Sequence, residues 1–308
     1  MTPKAPRQEP QPAPRKSRGK NAAASGNIYV GIGGWTFEPW RGSFYPKGLA
    51  HAKELAYASA RLTSIEVNGT FYRTQTPATF RKWASEVPAG FVFALKGPRF
   101  AVNRRVLKEA GDSIKRFLDS GITELGECLG PLLWQFAPTK KFDAADFGGF
   151  LELLPARLDK RALRHVIEVR HDSFASPDFI ALLRRFNFPV VFTDHARYPN
   201  IADVTGDFHY ARLQRGKDTV PTAYPPKDIA AWAERLKTWA QGREPDDLNR
   251  VGSAGNGKAE ASKAEAGKAE AGKAEAGKTK ARDVFAYVIH EGKVRAPAGA
   301  MALIAALA

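Results

Sequence analysis

The chain has 308 residues, 44% of them hydrophobic and 11% aromatic, with a formal net charge of +15. That length and apolar content supply one large core or two ordinary ones and exclude wholesale disorder, so a soluble globular protein is expected. The lone cysteine, Cys128, excludes an internal disulfide and a cysteine-rich metal site.

In chain order, "MTPKAPRQEPQPAPRKSRGKNAAASG", residues 1–26, lacks the apolar centre of a secretory signal and is rich in proline. It reads as a disordered basic tail, and the protein as cytoplasmic. From residue 27 onward, short runs rich in Val, Ile and Phe alternate with segments of helical period, the pattern of a parallel α/β fold. The expected strands are Ile28–Gly33, Ser64–Asn68, Phe91–Lys96, Leu129–Phe136, His165–Arg170, Pro189–Asp194, Phe208–Leu213 and Val284–Ile289. Eight is the number that closes a single (β/α)8 TIM-type barrel.

Thr76-Pro77 and Ser176-Pro177 are helix starts, each a capping side chain followed by proline at the first helical position. Leu107–Leu118, Phe147–Leu154, Lys227–Ala240 and Ala300–Leu307 carry apolar residues at helical spacing. "HARYPNIADVTG", after the sixth strand, has no such period, so a loop is expected to replace one helix there. Residues 250–282 hold a five-residue Lys-Ala-Glu-Ala-Gly/Ser repeat that matches neither helix nor strand, and read as a solvated insertion into a barrel domain made of 27–249 and 283–308. No apolar run approaches the roughly 18 to 20 residues of a spanning helix, so no membrane partner is expected.

Of the +15, the tail accounts for +5 and residues 250–282 for +4, which leaves +6 for the rest. The folded part is therefore basic without being extreme.

In such a barrel the active site is built from the C-terminal ends of the strands. Glu66 and Asn68 lie two apart and so share a face, as do Glu168 and Arg170, while Lys96, Gln135, Asp194 and Arg212 stand at the ends of four other strands. Charges of both signs facing one interior must pair with one another or meet a ligand. The aromatic loop "GGWTFEPWRGSFYP", with Trp35 and Trp40, offers either stacking surface or core. Glu66, Glu168, Asp194, His171 and His195 are residue types that hold divalent ions, but no spacing marks a metal site, and no cofactor is assigned. No GxSxG elbow is present. Lys96, Arg99, Arg170 and Arg212 together make an anion site.

The blocks "IYVGIGGWTFEPWRGSFYP", "SIEVNGTFYRTQTPATFRKWASEVPAGFVFALKGPRF", "LGPLLWQF", "IEVRHDSF" and "DFHYARLQ" resemble the YecE-like family, a bacterial and archaeal group catalogued as domain of unknown function 72. The resemblance covers about residues 27–240 and returns more loosely in "DVFAYVIHEG". It implies a TIM-type barrel and no particular activity. Its motif positions fall here on Gly33, Trp35, Trp40, Glu66, Asn68, Thr70, Phe71, Tyr72, Trp83, Lys96 and Arg99, then on Trp134, Gln135, Glu168, Arg170, His171, Asp194 and Arg212. Val102-Asn103 and His290-Glu291-Gly292 depart from the family's pattern.

The expectation is an enzyme of hydrolase type acting on an anionic, phosphate-containing substrate, either a small molecule or a nucleic acid. Glu66, Glu168 or Asp194 would be the catalytic carboxylate. Trp35, Asn68, Tyr72, Lys96, Arg99, Gln135, Arg170, His171 and Arg212 would bind substrate. The alternative is a non-catalytic nucleic-acid-binding protein.

Overall fold

A computed structural model describes residues 25–252, 280–289 and 293–308. The expected tail and repeat, and the His290-Glu291-Gly292 departure, lie almost wholly outside them. Eight strands run parallel: β1 (Ile28–Gly33), β2 (Ser64–Val67), β3 (Val92–Lys96), β4 (Leu129–Gln135), β5 (His165–Glu168), β6 (Val191–Asp194), β7 (Phe208–Leu213) and β8 (Asp283–Val288). The order β5-β4-β3-β2-β1-β8-β7-β6 makes one sheet. It closes through a single parallel bridge between Ile167 and Val190, with the Ile167 N–H donating to the Pro189 carbonyl at 3.0 Å. Proline has no N–H to return, which keeps this seam thin.

Helices pack outside the sheet: α1 (Glu54–Ser59), α2 (Pro77–Ser85), α3 (Gly111–Leu118), α4 (Ala144–Glu152), α5 (Pro177–Phe186), α6 (Pro226–Ala240) and α7 (Ala296–Leu307). Thr76 and Ser176 accept the backbone N–H groups of Thr79 and Phe179, the caps their sequences announce. The helix expected over Leu107–Leu118 is broken at Ala110. The Asp146 carboxylate takes the N–H groups of Leu107 and Lys108 at 2.7 and 3.2 Å, which holds 107–109 as a separate turn. Among the described residues no helix is long and apolar enough to cross a membrane.

After β6 the chain makes a loop where a helix would stand. Asn200 donates to the carbonyls of His195 and Tyr198 at 3.1 and 3.0 Å, and Asp203 accepts from Val251 and Gly252 at 2.6 and 2.7 Å. The residues after α6 therefore cover the ground the missing helix leaves open.

The larger apolar core lies between sheet and helices, built from residues such as Ile32, Ile65, Leu95, Trp134 and Trp239. A second cluster fills the barrel, where Val92, Ala94, Leu133, Val166 and Val191 meet the rings of Phe208, Tyr210, Phe285 and Tyr287. Such a filled interior leaves room for charged side chains above it, at the C-terminal ends of the strands.

Strand β1 adds the Tyr29 ring, stacked on Phe285 at 4.8 Å, at the lower end of that interior and only glycines above it. A Cβ on Gly31 would fall 2.0 Å from the Ser64 carbonyl oxygen, whereas one on Gly34, at φ +76°, would meet nothing within 4 Å. Gly31→Ala is expected to cost about 3 kcal/mol, since backbone has to move, and Gly34→Ala only about 1 kcal/mol for its left-handed backbone. Urea denaturation of both variants measures the difference. Equal costs would mean that the β1–β2 contact is not tight.

Candidate functional site at the barrel mouth

Alternation along β2, β5 and β7 sends Glu66, Glu168 and Arg212 inward from three different strands, and all three are buried. Arg212 lies between the carboxylates. Its Nε and Nη2 donate to Glu66 Oε2 and Oε1 at 3.0 and 3.1 Å, and its Nη1 donates to Glu168 Oε1 and Oε2 at 3.0 and 2.9 Å. The planar fork of arginine suits this double engagement; a lysine has no equivalent geometry.

The network spreads outward from there. Tyr210 Oη donates to Glu66 Oε2 at 2.8 Å. Arg170 Nε donates to Glu168 Oε1 at 2.9 Å, and Gln135 Nε2 to Glu168 Oε2 at 2.7 Å. Gln135 Oε1 in turn accepts from Lys96 Nζ at 2.9 Å. Below it, the Ser64 and Tyr287 hydroxyls pair at 2.7 Å.

Burial alone would raise the Glu168 carboxyl. Arg212 and Arg170, helped by the Gln135 amide, outweigh it and hold the group at about 2 against an ordinary 4.5. Burial would likewise weaken the Arg212 charge, but Glu168 and Glu66 overcome it and raise its pKa. Burial, and then the Glu66 charge, push the Tyr210 phenol well up. Lys96 differs. It is 6% exposed and its hydrogen bond among the described residues goes to a neutral amide; burial, then the Arg212 charge, lower it from 10.5 to about 8. Its ammonium faces the Phe71 ring, 4.4 Å from the centroid.

Other expected site residues sit farther out. Arg170 is partly exposed, with its guanidinium over the Tyr198 ring at 4.7 Å. Asn68 and Trp35 border a 330 Å³ recess beside Gly33, where a Cβ would come within 3.0 Å of the Asn68 amide nitrogen. Trp35 packs edge-on against Trp83, while Trp40 and Tyr45 are buried, so most of the aromatic loop is core. His171 Nδ1 accepts the Ser173 N–H at 3.1 Å, at the start of a short turn. Tyr72 and Arg99 stand exposed on the rim.

Asp194 does not join the mouth. Val191 faces the interior, so the alternation of β6 turns Phe192 and Asp194 outward; Phe192 packs on Trp232 and Trp239 of α6. The Asp194 carboxylate pairs with Arg215 Nε at 3.0 Å and accepts from Tyr224 Oη at 3.2 Å. Burial raises its pKa, against the opposing pull of Arg215. The expectation that it shares the interior with Glu66 and Glu168 is thus corrected. Phe192, two residues earlier, is apolar because it meets helices, not because it fills the barrel.

A cleft of 890 Å³ opens above Arg170 and Arg212, bounded by the loops after β6 and β7. Arg197, Arg215 and Lys217 line it with Asp218, giving a cationic surround. These loop residues, and Tyr210, were not among the expected site residues. Only for Tyr210 was there a signal: it lies two residues before Arg212 on the same strand face. Among the described residues no three His, Cys, Asp or Glu side chains are placed to hold a metal ion.

Glu168→Gln removes the carboxylate that Arg212 and Arg170 share, leaving two arginines against Glu66 alone, and is expected to cost about 3 to 5 kcal/mol near neutral pH. Because the folded pKa is below the unfolded one, the Glu168 contribution is complete above about pH 4.5 and is lost as pH falls towards 2. Denaturation of wild type and variant across acid pH checks this; a stability gap that stays constant down to pH 2 would contradict the pairing.

Comparison with known proteins agrees with this architecture. A family described as "Protein of unknown function DUF72" matches residues 29–250. UPF0759 protein YunF of Bacillus subtilis is 28% identical over 116 residues, a match spanning 36% of this chain and 40% of that relative. A DUF72 family protein from Thermotoga maritima superposes with a TM-score of 0.61 at 19% identity, covering 90% of this chain and 97% of that one. Another, from Enterococcus faecalis, also gives 0.61, at 15% identity, covering 91% and 95%.

Proposed function

The chain belongs to the DUF72 family, and from that premise we propose that it is a cytoplasmic hydrolase-type enzyme whose barrel mouth takes an anionic, phosphate-bearing substrate. One observation carries this reading. After the internal pairs are made, Lys96 and Arg170 still have N–H donors without partners among the described residues, at the mouth and below a cationic cleft. Arg170 and Lys96 both reach solvent, 21% and 6% exposed, so a ligand's oxygens can take the place of water on these donors. Gln214, which also lines the cleft, has a buried Nε2 without a hydrogen-bond partner among the described residues.

Roles follow from the chemistry of each group. Glu168, held at about 2, is a poor base near neutrality, and Glu66 is occupied by Arg212 and Tyr210; both carboxylates orient the cations. Arg170 and Lys96 receive the phosphate oxygens, and Arg212 fixes the field behind them. Lys96, lowered to about 8, is a mouth group able to exchange a proton at working pH. In hydrolysis, water adds to phosphorus and the phosphorus–ester oxygen bond breaks; the Lys96 ammonium protonates the departing oxygen, and the proton lost by the attacking water passes through the phosphate oxygens back to the Lys96 amine. Asn68, Gln135 and His171 bound the same face.

The test uses sulfate, a phosphate-shaped dianion whose charge is constant between about pH 6 and 9. Calorimetric titration should show binding that weakens about tenfold or more in Arg170→Ala and in Lys96→Met. Wild-type affinity should fall as pH rises through about 8, where Lys96 loses its charge, and Lys96→Met should show no such step. Sulfate binding indifferent to both substitutions would remove the mouth from consideration.

Lys96→Met is also expected to stabilise the fold by about 1 kcal/mol at pH 7. It removes a charge that burial disfavours, partly offset by the unpaired Gln135 oxygen. Because the folded pKa lies below the unfolded one, this gain is fully present below about pH 8 and vanishes as pH approaches 10.5. Chemical denaturation at both pH extremes measures it.

A further inference from the structure

Two large apolar side chains are strongly exposed among the described residues, Tyr72 at 64% and Phe100 at 62%. Both stand on the mouth face, just after the neighbouring strands β2 and β3. The Phe71 ring that covers the Lys96 ammonium touches the Tyr72 ring edge-on, centroids 5.1 Å apart. Phe100 follows Lys96 by four residues and has the Arg99 guanidinium 5.2 Å from its centroid. Beside it lies a 660 Å³ cleft lined by Arg99, Arg104 and Arg116 against a single acid, Asp112. Arg104 is held in place, its Nε donating to the Phe100 carbonyl and its Nη2 to the Ser113 hydroxyl, both at 3.1 Å. Arg73 stands exposed next to Tyr72.

We propose that this rim is a track for single-stranded nucleic acid, whose bases stack on Tyr72 and Phe100 and whose phosphates meet Arg73, Arg99, Arg104 and Arg116, feeding the strand towards Lys96. The proposal rests on the reading of the mouth as a phosphate site and narrows its substrate to a polynucleotide. The physical match is the alternation of flat apolar rings with cations, which copies the alternation of bases and phosphates along an unpaired strand. A duplex keeps its bases stacked on one another and offers the rings nothing. A second copy of this chain is disfavoured, because a two-fold contact would set arginine against arginine.

The experiment is fluorescence anisotropy of a labelled single-stranded oligonucleotide of about 12 nucleotides with the full chain, across a salt series. The same titration is run on Tyr72→Ala/Phe100→Ala, on Arg99→Ala/Arg116→Ala and on Arg170→Ala. The ring pair should weaken binding roughly tenfold or more, with the salt slope unchanged. The arginine pair should lower the salt slope by about 1.4, at about 0.7 for each phosphate contact to a single strand. A duplex of the same length should bind less tightly and be insensitive to the ring substitutions.

Absence of binding at low salt, or binding that the ring pair leaves unchanged, overturns the track; the latter would assign affinity to other basic parts of the chain. If sulfate still binds the mouth in that case, the phosphate-site reading survives alone. If the ring pair weakens strand binding while Arg170→Ala affects neither strand nor sulfate, the track stands and the mouth reading falls.

Discussion

A full positive charge on Arg212 sits near the centre of the barrel, and only the two carboxylates that flank it make that position tolerable. Each partner would be costly to bury alone, and the three together leave little unsatisfied. The constraint is geometric as well as electrostatic. Glu66, Glu168 and Arg212 come from β2, β5 and β7, so their meeting fixes the mutual height of three strands that are not neighbours in the sheet. The Ile167–Val190 seam is thin, and this charged cross-link spans the same interior from above.

From that triad the polarity of the mouth follows. Two acids against Arg212, Arg170 and Lys96 leave an excess of one positive charge when Lys96 is protonated, and the loops after β6 and β7 add further cations. The carboxylates spend four hydrogen bonds on Arg212, and Arg170 reaches Glu168 through its Nε alone. Lys96 reaches the triad only through the Gln135 amide, and a neutral relay compensates its charge less than a carboxylate would. With burial, and then the Arg212 charge, acting against so weakly compensated an ammonium, Lys96 is lowered to about 8. The filled lower barrel of Tyr210, Tyr287, Phe285 and Phe208 keeps the network from sinking deeper, where no partner would reach it.

The loop after β6 plays a second part. With no helix there, Asp194 and Arg215 pair on the outside of the barrel, in a pocket shared with Tyr224 and Trp232. Arg215 also borders the mouth cleft, so one side chain joins the two surfaces. Tyr198 in the same loop lies under Arg170 and stacks with His195, centroids 4.1 Å apart. The irregular segment thus supports the cation that faces the cleft.

The sequence alone determined the strands, because each is a short apolar run bounded by turn residues, and all eight stand within two residues of where the pattern puts them. It also determined that Glu66 and Asn68 share a face, since alternation is a property of the extended chain itself. It did not reveal that Tyr210 supports Glu66, that Arg99 stands on the rim, or that Asp194 looks outward. Phe192 reads as apolar whether it meets the barrel interior or a helix, so hydrophobicity could not say which face of β6 is inside. Only the closure of the sheet, which rotates every strand about the barrel axis and brings β5 against the start of β6, decided which alternating set points inward and which charges meet. Side-chain pairing across 144 positions, as between Glu66 and Tyr210, is a consequence of that closure and leaves no local trace in the chain.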